Sequence, residues 1–251
     1  MNKEFIDQDR WDQSYEQLQL SIAPPDDPIR KWVEKFTPPA GGSGSCLELG
    51  CFPGRYLAVF AELGFEVHGL DRTPRITPDL RDWMHQQGYA VGEFICGNVF
   101  QHAFSRQYDV VCSFGLIEHF SNWAELLEIH ARLVTPGGTL IVSAPNFRGF
   151  YQRKLHEWFD PVNLAEHNLD AMHPKRWADT IRPLGFAVEM CGYIGPYDFW
   201  VGAQPRAAWQ VLAIKVLRRL KLLGRCLPDN VGFYAPYCGL VARRRSGRPL
   251  T

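Results

Sequence analysis

Cys46-Leu47-Glu48-Leu49-Gly50-Cys51-Phe52-Pro53-Gly54-Arg55-Tyr56 runs from a short apolar strand (46–49) through a glycine-bounded turn (50–54) into a helix (55–63) that Gly64 stops. Gly50 can take backbone angles closed to other residues and lets a ligand approach the main chain. The first N–H groups of the helix are expected to face the same crevice, ready for a polar or anionic group. The next strand (66–70) ends on Asp71. An acid about 20 residues past such a turn is placed to accept the hydroxyls of a ribose. Strand, turn and acid together predict a nucleoside-containing ligand.

Downstream, apolar strand-like runs alternate with amphipathic helical ones. A helix near 77–87 precedes strands at 91–96 and 108–113. Asn122 and Glu125 have the spacing of a capping box, opening a helix that Pro136-Gly137-Gly138 follows and that feeds a strand at 139–144. A helix from Pro174 to Gly185, a strand over 186–193 and a final strand over 232–243 complete the series. The alternation specifies an α/β fold with a doubly wound, mostly parallel sheet and ligands at the carboxyl ends of its strands.

The turn Glu48-Leu49-Gly50-Cys51-Phe52-Pro53-Gly54 resembles the acidic-x-Gly-x-Gly-x-Gly signature of class I methyltransferases that use S-adenosylmethionine, departing from it at Phe52. Gly97-Asn98-Val99, Ser113-Phe114-Gly115-Leu116-Ile117-Glu118-His119-Phe120 and Leu133-Val134-Thr135-Pro136-Gly137-Gly138 are similar to further segments of that family, in the family's order. The similarity runs over 46–144 and more weakly to 193. It implies a Rossmann-like, seven-stranded sheet with an antiparallel last strand. It also implies cofactor contacts at Glu48, Gly50, Cys51 and Gly54 of the turn, at Asp71 and Arg72, at Asn98 and Val99, and at Phe114 and Leu116. Trp11 and Tyr15 lie four apart on a helix within 9–20. In many small-molecule members such a pair covers the cofactor, although the helix could equally cover an apolar surface.

The remaining chemistry is read from the second half. Residues 146–172 are polar and aromatic and are expected to form a substrate lid, with Asn146, Arg148, Tyr151 and Asn168 toward the acceptor. Methyl transfer to a hydroxyl needs a group to take its proton. His119, just past the fourth strand, is the first candidate and His167 the second, on an unperturbed histidine pKa of about 6.5. An amine acceptor, making the enzyme an N-methyltransferase, stays open. No metal is expected, since His119, His156, Asp160, His167 and His173 show no ligand spacing such as His-Glu-x-x-His. Phe147-Arg148-Gly149, Glu166-His167-Asn168-Leu169 and Tyr234-Ala235-Pro236-Tyr237 also resemble a bacterial subgroup that modifies surface polysaccharides or natural products.

Among 251 residues, 27 Lys and Arg balance 27 Asp and Glu, which argues against a nucleic-acid partner held by bulk charge. Seven scattered cysteines without Cys-x-x-Cys spacing read as reduced core residues of a cytoplasmic protein. The opening Met1-Asn2-Lys3-Glu4-Phe5 has no apolar signal core, and no run reaches the ~20 apolar residues of a membrane span.

The expected organisation is a cap and linker over 1–44 and a catalytic domain over 45–251, with the lid at 146–172 and an insertion at 195–231. Within that insertion Trp209, Leu212, Val216, Leu220 and Leu223 form an apolar stripe beside Lys215, Arg218, Arg219, Lys221 and Arg225. A basic amphipathic helix at 206–225 either lies on an anionic membrane or packs on its own domain. Arg243-Arg244-Arg245 and Arg248 read as a basic tail. A nicotinamide-dependent oxidoreductase and a non-catalytic nucleoside-binding protein are the competing classes.

Overall fold

The computed structural model describes residues 5–16, 18–198, 200–202, 206–224 and 226–247, apart from the side chains of 220–223. Leu220, Lys221, Leu223, Arg225 and Arg248 of the stripe and tail therefore lie outside the described side chains.

Seven strands form one sheet: β1 (Ser45–Leu49), β2 (Glu66–Asp71), β3 (Val91–Cys96), β4 (Tyr108–Phe114), β5 (Val134–Pro145), β6 (Phe186–Ile194) and β7 (Tyr237–Arg244). Their order is β3-β2-β1-β4-β5-β7-β6. The first five pair in parallel, and β7 runs antiparallel to both β5 and β6. This is the doubly wound sheet that the alternation implied, with the antiparallel last strand that the resemblance implied.

Nine helices accompany the strands among the described residues: α1 (Gln8–Tyr15), α2 (Pro28–Phe36), α3 (Leu57–Glu62), α4 (Asp79–Gln86), α5 (Trp123–Leu133), α6 (Phe150–Phe159), α7 (Pro161–Ala165), α8 (Pro174–Ile181) and α9 (Ala208–Gly224). Strand residues alternate between faces, so each strand feeds two cores. Leu47, Leu49 and Val111 join Leu126, Leu127 and Trp177 of α5 and α8. Cys46, Val110 and Cys112 join Trp32, Leu57 and Leu80 of α2, α3 and α4. Each fully buried Leu or Val contributes about 1.5–3 kcal/mol over an exposed one.

Several boundaries differ from the sequence reading, for identifiable reasons. The first helix ends at Tyr15, where the side chain turns into the second core. The helix after the glycine turn begins at Leu57, two residues later than expected, because the turn runs on through Tyr56: Gly54 N–H donates to the Cys51 carbonyl and the first helical bond is Ala58 N–H to the Gly54 carbonyl at 2.9 Å. Asn122 does not cap α5; its amide donates to Glu125 Oε2 at 2.7 Å instead. The last strand starts at Tyr237, since residues 232–235 are held across the sheet by Asn146.

The largest difference is in the expected lid. Residues 146–172 fold into α6 and α7, and α6 turns Gln152, His156 and Phe159 inward, all buried. Asn146 is buried as well: its amide donates to the carbonyls of Gly232 and Ala235, and its oxygen accepts the Gly149 amide. It is a structural joint between β5 and the segment before β7.

Candidate active site

At the carboxyl ends of β1, β2, β3 and β4 the chain leaves a cleft of about 260 Å³. Its floor is the glycine turn. Gly50 has φ +68°, and a Cβ there would stand 2.7 Å from the Leu116 side chain, so glycine serves both the turn and the opening. The turn amides are turned inward. Gly50 and Cys51 N–H donate to the Leu70 carbonyl at 2.8 and 3.3 Å, and Gly54 N–H donates to the Cys51 carbonyl at 2.6 Å. Ala58 N–H donates to the Gly54 carbonyl at 2.9 Å and Val59 N–H to the Tyr56 carbonyl at 3.0 Å, so these amides are spent within the turn and the helix.

Asp71 sits at the rim and organises it. One carboxylate oxygen accepts the Phe52 amide at 2.9 Å and the other the Thr73 amide at 3.1 Å. Burial raises its pKa, opposed by the Thr73, Phe52 and Arg72 amides, and with four lone pairs the carboxylate keeps acceptor capacity beyond these three donors. Across the cleft Asn98 and Val99 follow β3; the side-chain Oδ1 of Asn98 accepts the Phe100 amide at 3.0 Å. Phe114 and Leu116, past β4, complete the wall.

α1 forms the roof. Trp11 stacks on Tyr15 with ring centroids 5.6 Å apart, and Tyr15 meets Phe52 edge-on at 4.7 Å. Arg75 lies over the Phe52 ring, 5.0 Å from its centroid, and donates to the Tyr15 carbonyl. The phenyl ring at the departed glycine position is thus the seat on which the roof rests. Arg10 of α1 also pairs with Glu166 at 2.9 Å.

Beside the cleft lies a cluster of buried titratable groups. His119 lines the cleft; its Nδ1–H donates to the Glu166 carbonyl at 3.1 Å, leaving Nε2 as an acceptor. His167 donates from Nδ1 to the Asn163 carbonyl in the same way, and the two imidazoles are 4.5 Å apart. Burial lowers His119 to about 3, helped by His167, and lowers His167 to about 4. Both are neutral imidazoles, well below the unperturbed value assumed from sequence. Glu118 is pushed up to about 8 by burial, with neither carboxyl oxygen hydrogen-bonded and Oε1 lying 3.9 Å from His119 Nε2. One ligand atom from each of Glu118, His119 and His167 falls within 4.8 Å of the others, so the described residues do assemble a donor set of metal-ligating type. The sequence spacing hid it because the two histidines come from separate segments.

The family description "Methyltransferase domain" matches residues 22–190. The chain belongs to this methyltransferase-domain family. Among curated proteins it is similar to the ubiquinone biosynthesis O-methyltransferases of Thiobacillus denitrificans (30% identical over 121 residues, 47% of this chain and 51% of that one) and Proteus mirabilis (32% over 142 residues, 55% of each). The chain thus matches about half the length of these curated relatives. Among solved structures it shares the fold of the Synechocystis magnesium protoporphyrin IX methyltransferase with bound SAH, at TM-score 0.53 and 17% identity over 94% of this chain and 93% of that one.

The structure gathers Trp11, Tyr15, Gly50, Asp71, Arg72, Asn98, Val99, Phe114, Leu116 and His119 around one cleft. It places the other candidates elsewhere. Glu48 is sealed beneath the turn, 4% exposed, with burial raising its pKa. Cys51 points to the back of the turn, against Gly69 of β2. Gly54, at φ +78°, gives way to Leu80, which a Cβ would meet at 2.4 Å. Arg148 is exposed and donates to the Leu169 carbonyl at 3.5 Å, Tyr151 bonds the Tyr197 hydroxyl, and Asn168 donates to the Phe120 carbonyl at 2.9 Å. These three fix the surrounding segments and do not line the cleft. Phe52, Arg75 and Glu118 were not assigned from the sequence; Phe52 carried a signal as the break in the glycine pattern, and Glu118 as the neighbour of His119.

Proposed function

We propose that the protein transfers a methyl group from S-adenosylmethionine to a hydroxyl of a small-molecule acceptor. The observation that carries this reading is the neutral His119 imidazole in the cleft wall, its Nε2 unshared, with buried Glu118 beside it. The names of the curated relatives, all O-methyltransferases, support the hydroxyl over an amine.

The residues fit the cofactor. Gly50 leaves a cradle that any Cβ would fill, and Asp71 has acceptor capacity for a ribose hydroxyl. Val99, Phe114 and Leu116 offer apolar walls for a purine, and Asn98 an amide for its edge. Bound S-adenosylmethionine would supply an electrophilic methyl group on a sulfonium. The chain's own part is alignment, exclusion of water under Trp11 and Tyr15, and acceptance of the acceptor's proton at His119 Nε2. Burial depresses the basicity of His119, so proton transfer and methyl transfer are expected to be concerted. We place this activity in the cytoplasm, a reading supported by seven free cysteines.

Calorimetry with S-adenosylmethionine, its demethylated product and NAD tests the cofactor. Binding of the two sulfur ligands and not of NAD is expected; absence of both at millimolar concentration overturns the reading. Methyl-labelled cofactor offered with hydroxyl and amine acceptors then locates the label, and label on nitrogen would replace the O-methyl reading.

A further inference from the structure

An apolar groove of about 820 Å³ lies between α6 and α9. Helix periodicity gives α6 two distinct sides. Gln152 and His156 point into the protein, while Tyr151, Lys154, Leu155, Trp158 and Phe159 line the groove, with Leu155 and Phe159 buried as its floor. α9 contributes Trp209, Leu212, Ala213, Val216 and Leu217 at the same spacing. Among its described side chains only Ile214 is buried, in a small cluster with Leu155 and Phe159. Trp209 is 62% exposed, Leu212 64%, Trp158 61% and Phe150 59%, and Phe150 stacks on Phe233 at 5.3 Å to extend the surface. Large contiguous apolar patches with exposed tryptophans are uncommon on monomers and mark a docking surface.

The charge around the groove selects the occupant. α9 carries Lys215, Arg218, Arg219 and Lys221 and no acidic residue over its whole length, and the first three are exposed. On α6, Arg153 and Lys154 share the single carboxylate of Glu157, leaving that flank positive as well. A second copy docking through the same groove would set these cations against their own counterparts across a two-fold axis. A bilayer with anionic headgroups instead offers phosphate to the Lys and Arg rim and hydrocarbon to the Trp, Leu and Phe side chains, the division of labour of an interfacial amphipathic helix.

We infer that the α6–α9 surface seats the protein on an anionic lipid bilayer, with Trp158, Trp209 and Leu212 entering the acyl boundary. The full chain is tested by flotation with vesicles of phosphatidylcholine alone and of phosphatidylcholine with phosphatidylglycerol. Wild type is expected to float with the mixed vesicles, with a blue shift of tryptophan emission, and at least tenfold less with phosphatidylcholine alone or in high salt. The triple variant Lys215→Gln, Arg218→Gln, Arg219→Gln is expected to lose the preference for anionic lipid. The double variant Trp209→Ser, Leu212→Ser is expected to lose most of the binding at unchanged charge. Both change exposed side chains, and their melting transitions check the fold. The inference is overturned if wild type ignores the anionic vesicles, or if both variants float like wild type. It is also overturned if light scattering shows a dimer that the Trp209→Ser, Leu212→Ser variant dissolves, which would make a second copy the occupant. None of these results bears on cofactor binding, which is measured separately.

Discussion

The indole of Trp11 stands edge-on to the imidazole of His119, with ring centroids 4.9 Å apart and planes at 87°. The roof of the cleft and the candidate base are therefore in direct contact, although they come from opposite ends of the first half of the chain. His119→Ala is expected to lower turnover by ~10²-fold or more while leaving cofactor affinity by calorimetry little changed. Wild-type turnover for this mutant would remove the base and favour an amine acceptor or catalysis by alignment alone. His167 holds the neighbouring ring and does not line the cleft, so His167→Ala should cost less.

The pH profile follows from burial. With His119 lowered to about 3, the wild-type rate should hold as pH falls from 7 to 5, where an unperturbed histidine would have lost activity below about 6.5. A rate that halves near pH 6.5 would show that His119 is solvated in the working enzyme.

Asp71 serves the turn and the ligand together. Asp71→Ala should weaken binding of S-adenosylmethionine by ~1.5–3 kcal/mol through the lost charge-assisted hydrogen bonds. It also releases the Phe52 and Thr73 amides, so a lower melting temperature should accompany the loss. Unchanged affinity would take Asp71 out of the cofactor site.

Gly50→Ala tests the cradle. At φ +68° a side chain costs about 1–2 kcal/mol of backbone strain, and the new methyl drives Leu116 toward the cleft. Both stability and cofactor affinity should fall, affinity by the larger margin. Normal binding at reduced stability would mean that the glycine serves only the turn.

Glu118→Gln should stabilise the protein at neutral and alkaline pH. Its carboxyl is raised in the folded state, to about 8 from 4.5, so the folded form holds a proton that the unfolded form has released across that window. The stability this group contributes is complete below pH 4.5 and is lost as pH rises through about 8. The glutamine variant has nothing to lose there, and its advantage in urea unfolding should grow from pH 5 to pH 8.5 by an amount on the order of a few kcal/mol. An advantage that stays flat with pH would mean that Glu118 finds a partner in solution.

The fold was legible because its signals are local. The run Cys46 to Leu49, the glycines around it and Pro136-Gly137-Gly138 each act within one turn of chain, and the alternating pattern orders them. The cleft-lining residues just past strand ends were legible for the same reason. What escaped the sequence depends on distant contacts. Glu48 looks like a ligand acid until α3 is seen resting on it, Asn146 looks like an exposed polar residue until Gly232 and Ala235 close over it, and α6 looks like a loop until its buried face finds Phe147. The pairing of His119 with His167 is of the same kind.

The position of β7 has a consequence for biosynthesis. This strand, the last of the seven to be translated, fills the gap between β5 and β6, and through it Thr139 is paired with Arg243 and Phe186 with Arg244. Until residues 237–244 have left the ribosome, β5 and β6 have no partner on the sides they will share, and the apolar edge of β5 stays open to other chains. A nascent chain stalled shortly before Tyr237 should therefore be sensitive to protease and drawn to chaperones, and release of the last strand should convert it to a protected form.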